Sequence, residues 1–123
     1  MFSKADMDRY ASRLYERRGK TVVVPRVEIS ETKLGRCHEN VVTYVATNPG
    51  SKRVTGWLIM KIANGPHWFI SHSVVKTGTG KLIDITPSGD GQLLPFLADN
   101  SSEFFALIDE HLPKLEYWPT STK

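Results

Sequence analysis

Over residues 3–18 apolar side chains return every three or four positions. Met7, Tyr10, Ala11 and Leu14 share one face, and Arg9, Arg13, Glu16 and Arg17 share another. That spacing predicts an amphipathic helix, with Gly19 as its C-terminal stop. Residues 21–29 are β-branched and extended but interrupted by Pro25, which suits an edge strand or an irregular segment. A polar connection over residues 30–36 ends in Gly35-Arg36. Residues 37–47 admit two readings. Cys37, Val41, Tyr44 and Val45 follow helical spacing, yet residues 41–45 are β-branched enough for a strand. Asn48-Pro49-Gly50 stops either one.

The period then shortens to that of strands. Residues 54–62 predict one strand, Asn64-Gly65-Pro66 a turn, and residues 67–76 a second strand. Thr77-Gly78-Thr79-Gly80 predicts a tight hairpin into a third strand, residues 81–86, ended by Pro87. Residues 88–92 read as a polar loop. Asn100 is the expected N-cap of a helix through Leu112, with Glu103 three residues on, Phe104, Ile108 and Leu112 on one face, and Pro113 ending it. The tail, residues 115–118, is apolar enough to dock on the body. With no repeat, low-complexity tract or linker, the order predicts one α+β domain: N-terminal helices packed on an antiparallel sheet.

Composition narrows the function classes. The chain has 123 residues, 40% hydrophobic and 24% charged, which fits one globular domain and argues against disorder. Cys37 is the only cysteine, so no intrachain disulfide can form and a reducing compartment is favoured. Residues 1–20 are charged throughout, and the densest apolar run, residues 57–60, is far too short to cross a bilayer. A cytoplasmic protein without membrane contact is expected, with export by a machine that reads no classical signal left open. The formal net charge is +3, and basic residues thicken only at Arg9, Arg13, Arg17, Arg18 and Lys20. This is the expected solvated face of the first helix rather than a nucleic-acid site, and an acidic partner protein could also use it.

The candidate chemistry starts from the hairpin. Ile70, His72 and Val74 share one face of its first strand, and Leu82, Asp84 and Thr86 share one face of the second. The turn brings His72 level with Asp84 or one residue from it; directly opposite, their Cβ atoms would be about 5 Å apart. A carboxylate among Leu82, Ile83 and Ile85 costs several kcal/mol unless paired, and a histidine beside Ile70, Val74 and Val75 has the same need. Each is the simplest partner for the other, either as part of a site or as a scaffold pair pinning the hairpin. Cys37 would open the 37–47 helix, where free N–H groups and the helix dipole favour a thiolate and an oxyanion. A lone cysteine is also often an inert core residue.

Gly35-Arg36-Cys37-His38-Glu39-Asn40, Ser71-His72-Ser73-Val74-Val75 and Leu82-Ile83-Asp84-Ile85-Thr86-Pro87 together resemble the core of the transglutaminase-like branch of the papain-like superfamily. The resemblance covers residues 35–87. It implies acyl transfer through a thioester without a cofactor, with Cys37 as nucleophile, His72 as general base and then acid, and Asp84 as orienter. Protein glutamine deamidation is the preferred reaction and peptide hydrolysis the second, each on a protein or peptide substrate. Arg36, His38, Asn40 and Trp57 are candidate substrate contacts.

Other candidates are weighed alongside. On a helix His38 diverges from Cys37 by about 100°, so it reads as a surface residue or substrate contact, whereas Asn40 shares the Cys37 face. His67, at a strand start after Pro66, is expected to be exposed. Trp57, if not lining a groove, would pack in the core. A zinc site from Cys37, His38, His72 and Asp84 lacks any standard ligand spacing. A non-catalytic protein-binding module, with His72 and Asp84 structural, is the alternative from a different class.

Overall fold

Ser3 opens the first helix, α1 (Lys4–Glu16), with a reciprocal cap: its hydroxyl accepts from the Asp6 N–H while the Asp6 carboxylate accepts from the Ser3 N–H. The computed structural model describes residues 2–88, 91–112 and 114–119. Gly19 does not take the left-handed stop expected of it. The Arg17 N–H closes α1 on Leu14 and Tyr15, and the chain leaves through a 3-10 turn, Arg18–Lys20, that contains Gly19.

Six strands form one sheet: β1 (Val22–Val23), β2 (Lys52–Lys61), β3 (His67–Lys76), β4 (Leu82–Ile83), β5 (Pro95–Ala98) and β6 (Lys114–Tyr117). Their order is β1-β5-β2-β3-β4, with β6 also against β3, and every ladder is antiparallel. The docked tail is therefore a strand. β5 has no counterpart in the sequence reading. It has four residues and opens on Pro95, so its own pattern is weak; the ladders to β1 and β2 on either side hold it in place.

The third predicted strand is cut short. After Ile83, Asp84 turns away from β3: its N–H donates to Pro25 O and its carbonyl accepts from the Val27 N–H, each at 2.9 Å, a parallel bridge with Arg26. Residues 37–47 resolve as a helix, α2 (Cys37–Thr47), because Val41 packs with Val75 and Ile85. The last helix, α3 (Ser102–Asp109), is capped by Ser101, whose hydroxyl accepts from the Phe104 N–H, rather than by Asn100. It also stops short of Leu112, since His111 adopts a φ of 59°. Pro113, the expected terminator, and Gly89 and Asp90 of the expected polar loop lie outside the described residues.

Alternation along β2 and β3 sends Trp57, Ile59 and Phe69 to one face, where they pack with Tyr10, Ala11 and Leu14 of α1 and Phe104 and Leu107 of α3. Burying each large apolar side chain here stabilises the fold by roughly 1.5–3 kcal/mol. α2 joins this face through Val75. The other face carries Leu58, Val74 and Phe96 and no helix among the described residues.

Among the described residues, Asp99 is the one carboxylate buried in the helix-side core. It accepts from Trp57 Nε1 at 2.8 Å, the Ser101 N–H at 3.0 Å and the Tyr10 hydroxyl. Burial pushes its pKa up, but the donors from Tyr10, Trp57 and Ser101 together hold it below the usual carboxylate range.

Gly56 sits in β2 opposite His72, where β5 comes closest. A Cβ there would stand 2.2 Å from Leu97 O and 2.9 Å from Ala98 Cα. Gly56→Ala is therefore expected to cost about 3 kcal/mol, seen as a lower urea midpoint and faster hydrogen exchange in β5. No helix among the described residues is long and apolar enough to cross a membrane.

Candidate active site

The geometry of the site follows from an interruption in the sheet. On the edge of β3 away from β2, β6 pairs residues 67–70 and β4 pairs Val75 and Lys76. Residues 71–74 have no strand beside them there among the described residues. The first turn of α2 fills this notch. Cys37 Sγ lies 4.0 Å from Ser71 O, and His38 Nδ1 lies 2.5 Å from Ser73 Oγ.

The approach to α2 is set by Gly35, whose φ of 76° is strained for any residue with a Cβ, and by the Arg36 N–H, which donates to Lys33 O. Arg36 occupies the N-cap, and no side chain caps this end. The first intrahelical bond runs from the Asn40 N–H to Arg36 O at 2.8 Å. The N–H groups of Cys37, His38 and Glu39 thus have no intrahelical acceptor, and they carry the positive end of the helix dipole.

His72 and Asp84 meet on the helix-free face, though not level with each other. Val75 pairs with Ile83, so continuing the register would put Asp84 across from Val74, making His72 its diagonal neighbour on the same face. The bond is made across that diagonal: His72 Nε2 to Asp84 Oδ2 is 2.8 Å. Asp84 Oδ1 accepts from the Thr86 N–H at 3.1 Å, and Arg26 Nη2 lies 3.6 Å from Oδ2. With Nε2 committed to Asp84, Nδ1 is the nitrogen left to serve Cys37, which lines the same cleft.

The electrostatics favour an ion pair. Burial alone would push the Cys37 thiol up. The neighbouring His38 and His72 imidazoles outweigh it and bring the pKa down to about 6. Burial likewise opposes charge on His72, but the bond to Asp84 and the bond to and charge of Cys37 raise its pKa to about 9. Between those values the pair is a thiolate and an imidazolium.

His38 is neither a surface residue nor simply a substrate contact. It is half-buried, edge-on to Phe104, and tied to β3. Arg53 donates to Ser73 Oγ at 3.2 Å and to His38 Nδ1 at 3.3 Å. Nδ1 is thus an acceptor and the ring proton sits on Nε2, which donates toward Ser71 Oγ at 3.3 Å. The 100° divergence between neighbours sends Cys37 and His38 to either side of the same exposed edge, so both reach β3.

A cleft of about 460 Å3 opens at Cys37, His38 and His72 and runs over Leu58, Met60, Ile70 and Leu94. The other expected substrate contacts are placed differently. Trp57 is fully buried in the helix-side core and has no surface to offer a substrate. Asn40 is 7% exposed; its side chain donates to Lys33 O and Thr86 Oγ1 and accepts from the Lys33 N–H, bracing the two loops around the site. Arg36 is exposed, paired with Glu39, and not part of the cleft wall. Arg26 and Arg53 were not read from sequence. Arg26 belongs to an irregular extended segment and Arg53 to a strand end, and neither position carries a local signal. Among the described residues no three His, Cys, Asp or Glu side chains converge as metal ligands.

Comparison with protein-family models, curated proteins and solved structures found no match.

Proposed function

We propose that this chain is a cysteine-dependent amide hydrolase or acyl-transfer enzyme of papain-like, transglutaminase-like plan. Its preferred substrate is the side-chain amide of glutamine in a protein, and the peptide bond comes second. One arrangement carries the reading: Cys37 at an uncapped helix start shares a cleft with an imidazole whose Nε2 lies 2.8 Å from a buried carboxylate.

In this mechanism the Cys37 thiolate adds to the carbonyl carbon, and the displaced electron pair collects on oxygen. The free N–H groups of the first turn of α2 stabilise that oxyanion. His72 gives its Nδ1 proton to the departing nitrogen, the C–N bond breaks, and ammonia or an amine leaves a thioester on Cys37. Neutral His72 then takes a proton from water as the oxygen attacks. Collapse breaks the C–S bond, restores the thiolate and imidazolium, and releases the acid. An amine in place of water gives transfer instead of hydrolysis. Asp84 holds the ring and favours its charged form throughout.

The test is ammonia release from a glutamine-rich protein such as casein, with new amino termini assayed in parallel. Ammonia from the native chain and none from a Cys37→Ala chain supports deamidation; new termini alone support peptide hydrolysis; neither product overturns the reading.

Thiol reactivity gives a second expected outcome. Cys37 should alkylate with iodoacetamide faster than free cysteine at pH 7, with the rate falling only below about pH 6, where the sulfur takes up its proton. Turnover should be bell-shaped. Its acid limb near 6 reports the thiolate, and its alkaline limb near 9 reports loss of the His72 proton that the leaving nitrogen requires. A binding module with a merely structural His72–Asp84 pair would leave Cys37 no more reactive than free cysteine.

A further inference from the structure

We propose that the acyl donor is a polypeptide segment in which apolar residues separate the reacting residue from an acidic one, whose side chain seats between Arg18 and Lys61. The inference rests on Cys37 as nucleophile and adds the class of substrate.

A second cavity, of about 470 Å3, adjoins the cleft: Met60, Gln92 and Leu94 line both. Its other walls include Arg18, Lys61 and His67, and none of its described lining residues is acidic. Arg9, Arg13 and Arg36 are each neutralised, by Asp6, Glu103 and Glu39. Among the described residues, neither Arg18 nor Lys61 has a carboxylate partner.

These cations are also positioned. The Arg18 guanidinium stacks 3.8 Å from the Tyr15 ring centroid and donates to Tyr15 O at 2.8 Å. His67 stands edge-on to the same ring at 5.0 Å. Contrary to the exposure expected from sequence, His67 is half-buried, and its Nδ1 is buried with no hydrogen-bond partner. Burial, then the nearby charges of Lys61 and Arg18, hold its ring toward the neutral form. An anion entering this cavity would relieve the repulsion between the cations and give His67 a reason to charge.

The spacing sets the substrate's length. His72 pairs with Gly56 and His67 with Lys61, so the reacting centre and the cationic end are separated by about 16 Å of strand. An extended peptide covers that distance in about five residues. In between it would lie over Leu58, Ile70 and Met60, which calls for apolar side chains, and past Met60 it would cross to the opposite face of the sheet, where Lys61 and His67 point.

The experiment uses full-length Cys37→Ala protein and three dye-labelled peptides. Each has a glutamine, four residues alternating leucine and serine, and then a pair of glutamates, glutamines or lysines. Fluorescence anisotropy at low salt is expected to rank the glutamate peptide about tenfold tighter than the neutral one, with the lysine peptide weakest. Lys61→Glu changes an exposed residue and should erase that ranking; Arg18→Gln should weaken it. Equal binding of all three peptides, or a preference for glutamate that survives Lys61→Glu, overturns the proposal. The two readings separate cleanly. An acidic preference in binding with no turnover by the native chain removes the catalytic reading alone, and turnover indifferent to peptide charge removes this one alone.

Discussion

Replacing Cys37 by Ala is expected to lower turnover by at least about 10⁴-fold, the scale on which removing a catalytic nucleophile acts. The rest of the site would persist. The sulfur is half-buried at the first residue of α2 and makes a long S–H···O approach to Ser71 O at 4.0 Å. The stability change should stay under about 1 kcal/mol, so an urea midpoint close to the native one must accompany the lost activity. Cys37→Ser is the sharper version. It keeps the shape and the hydrogen bonds but replaces a thiolate with an alcohol that His72 would have to deprotonate. Retained turnover in either variant, in a folded protein, would remove Cys37 from the chemistry.

Asp84→Ala should act on both activity and stability. The carboxylate is buried and serves three groups: His72 Nε2, the Thr86 N–H and, at 3.6 Å, Arg26. Truncating it leaves Arg26 and His72 facing a void, at a cost of about 3 kcal/mol. Since Asp84 helps raise the His72 pKa, its loss lowers that pKa, and the alkaline limb of the pH profile moves down from about 9. Turnover should fall by about 10³-fold. Asp84→Asn separates the two roles. An amide oxygen can still accept from the His72 Nε2–H, with the amide nitrogen then facing the Thr86 N–H, so orientation survives in part while the charge is lost. A drop of about tenfold is expected, with the same downward shift of the limb. Equal damage from Asn and Ala would mean that charge, rather than orientation, is what Asp84 supplies.

The elements most legible from sequence were those whose periodicity was strong within the element itself. α1 and the β2–β3 hairpin announce themselves through spacing and turn residues, and the bounds of β3 match the reading residue for residue. Elsewhere the deciding contacts are tertiary. The valines of α2 suit a strand as well as a helix, and Val75 and Ile85 choose the helix. β5 has four residues and a proline, so its place depends on the neighbours on either side. Trp57 could be assigned to β2 but not to one of its faces, because both faces of that strand carry apolar residues. Its burial against Asp99 follows from α1 and α3 covering that side. The pairing of His72 with Asp84 followed from the cost of burying either alone, while the diagonal offset depended on where β4 leaves the sheet. The bonds of His38 to Ser71 and Ser73 were not legible because a helical wheel compares directions on the helix and ignores the strand edge that two diverging neighbours can straddle.

The bare stretch of β3 makes the reactivity of Cys37 a property of the finished fold. The notch exists only once the hairpin and the C-terminal strand have both docked, and only there do Cys37, His38 and His72 line one cleft. In an unfolded chain the same cysteine is an ordinary thiol with a pKa of about 8.5, mostly protonated at neutral pH. On the proposed mechanism, a nascent or heat-disrupted copy would therefore carry no activated nucleophile to attack bystander amides or scavenge electrophiles.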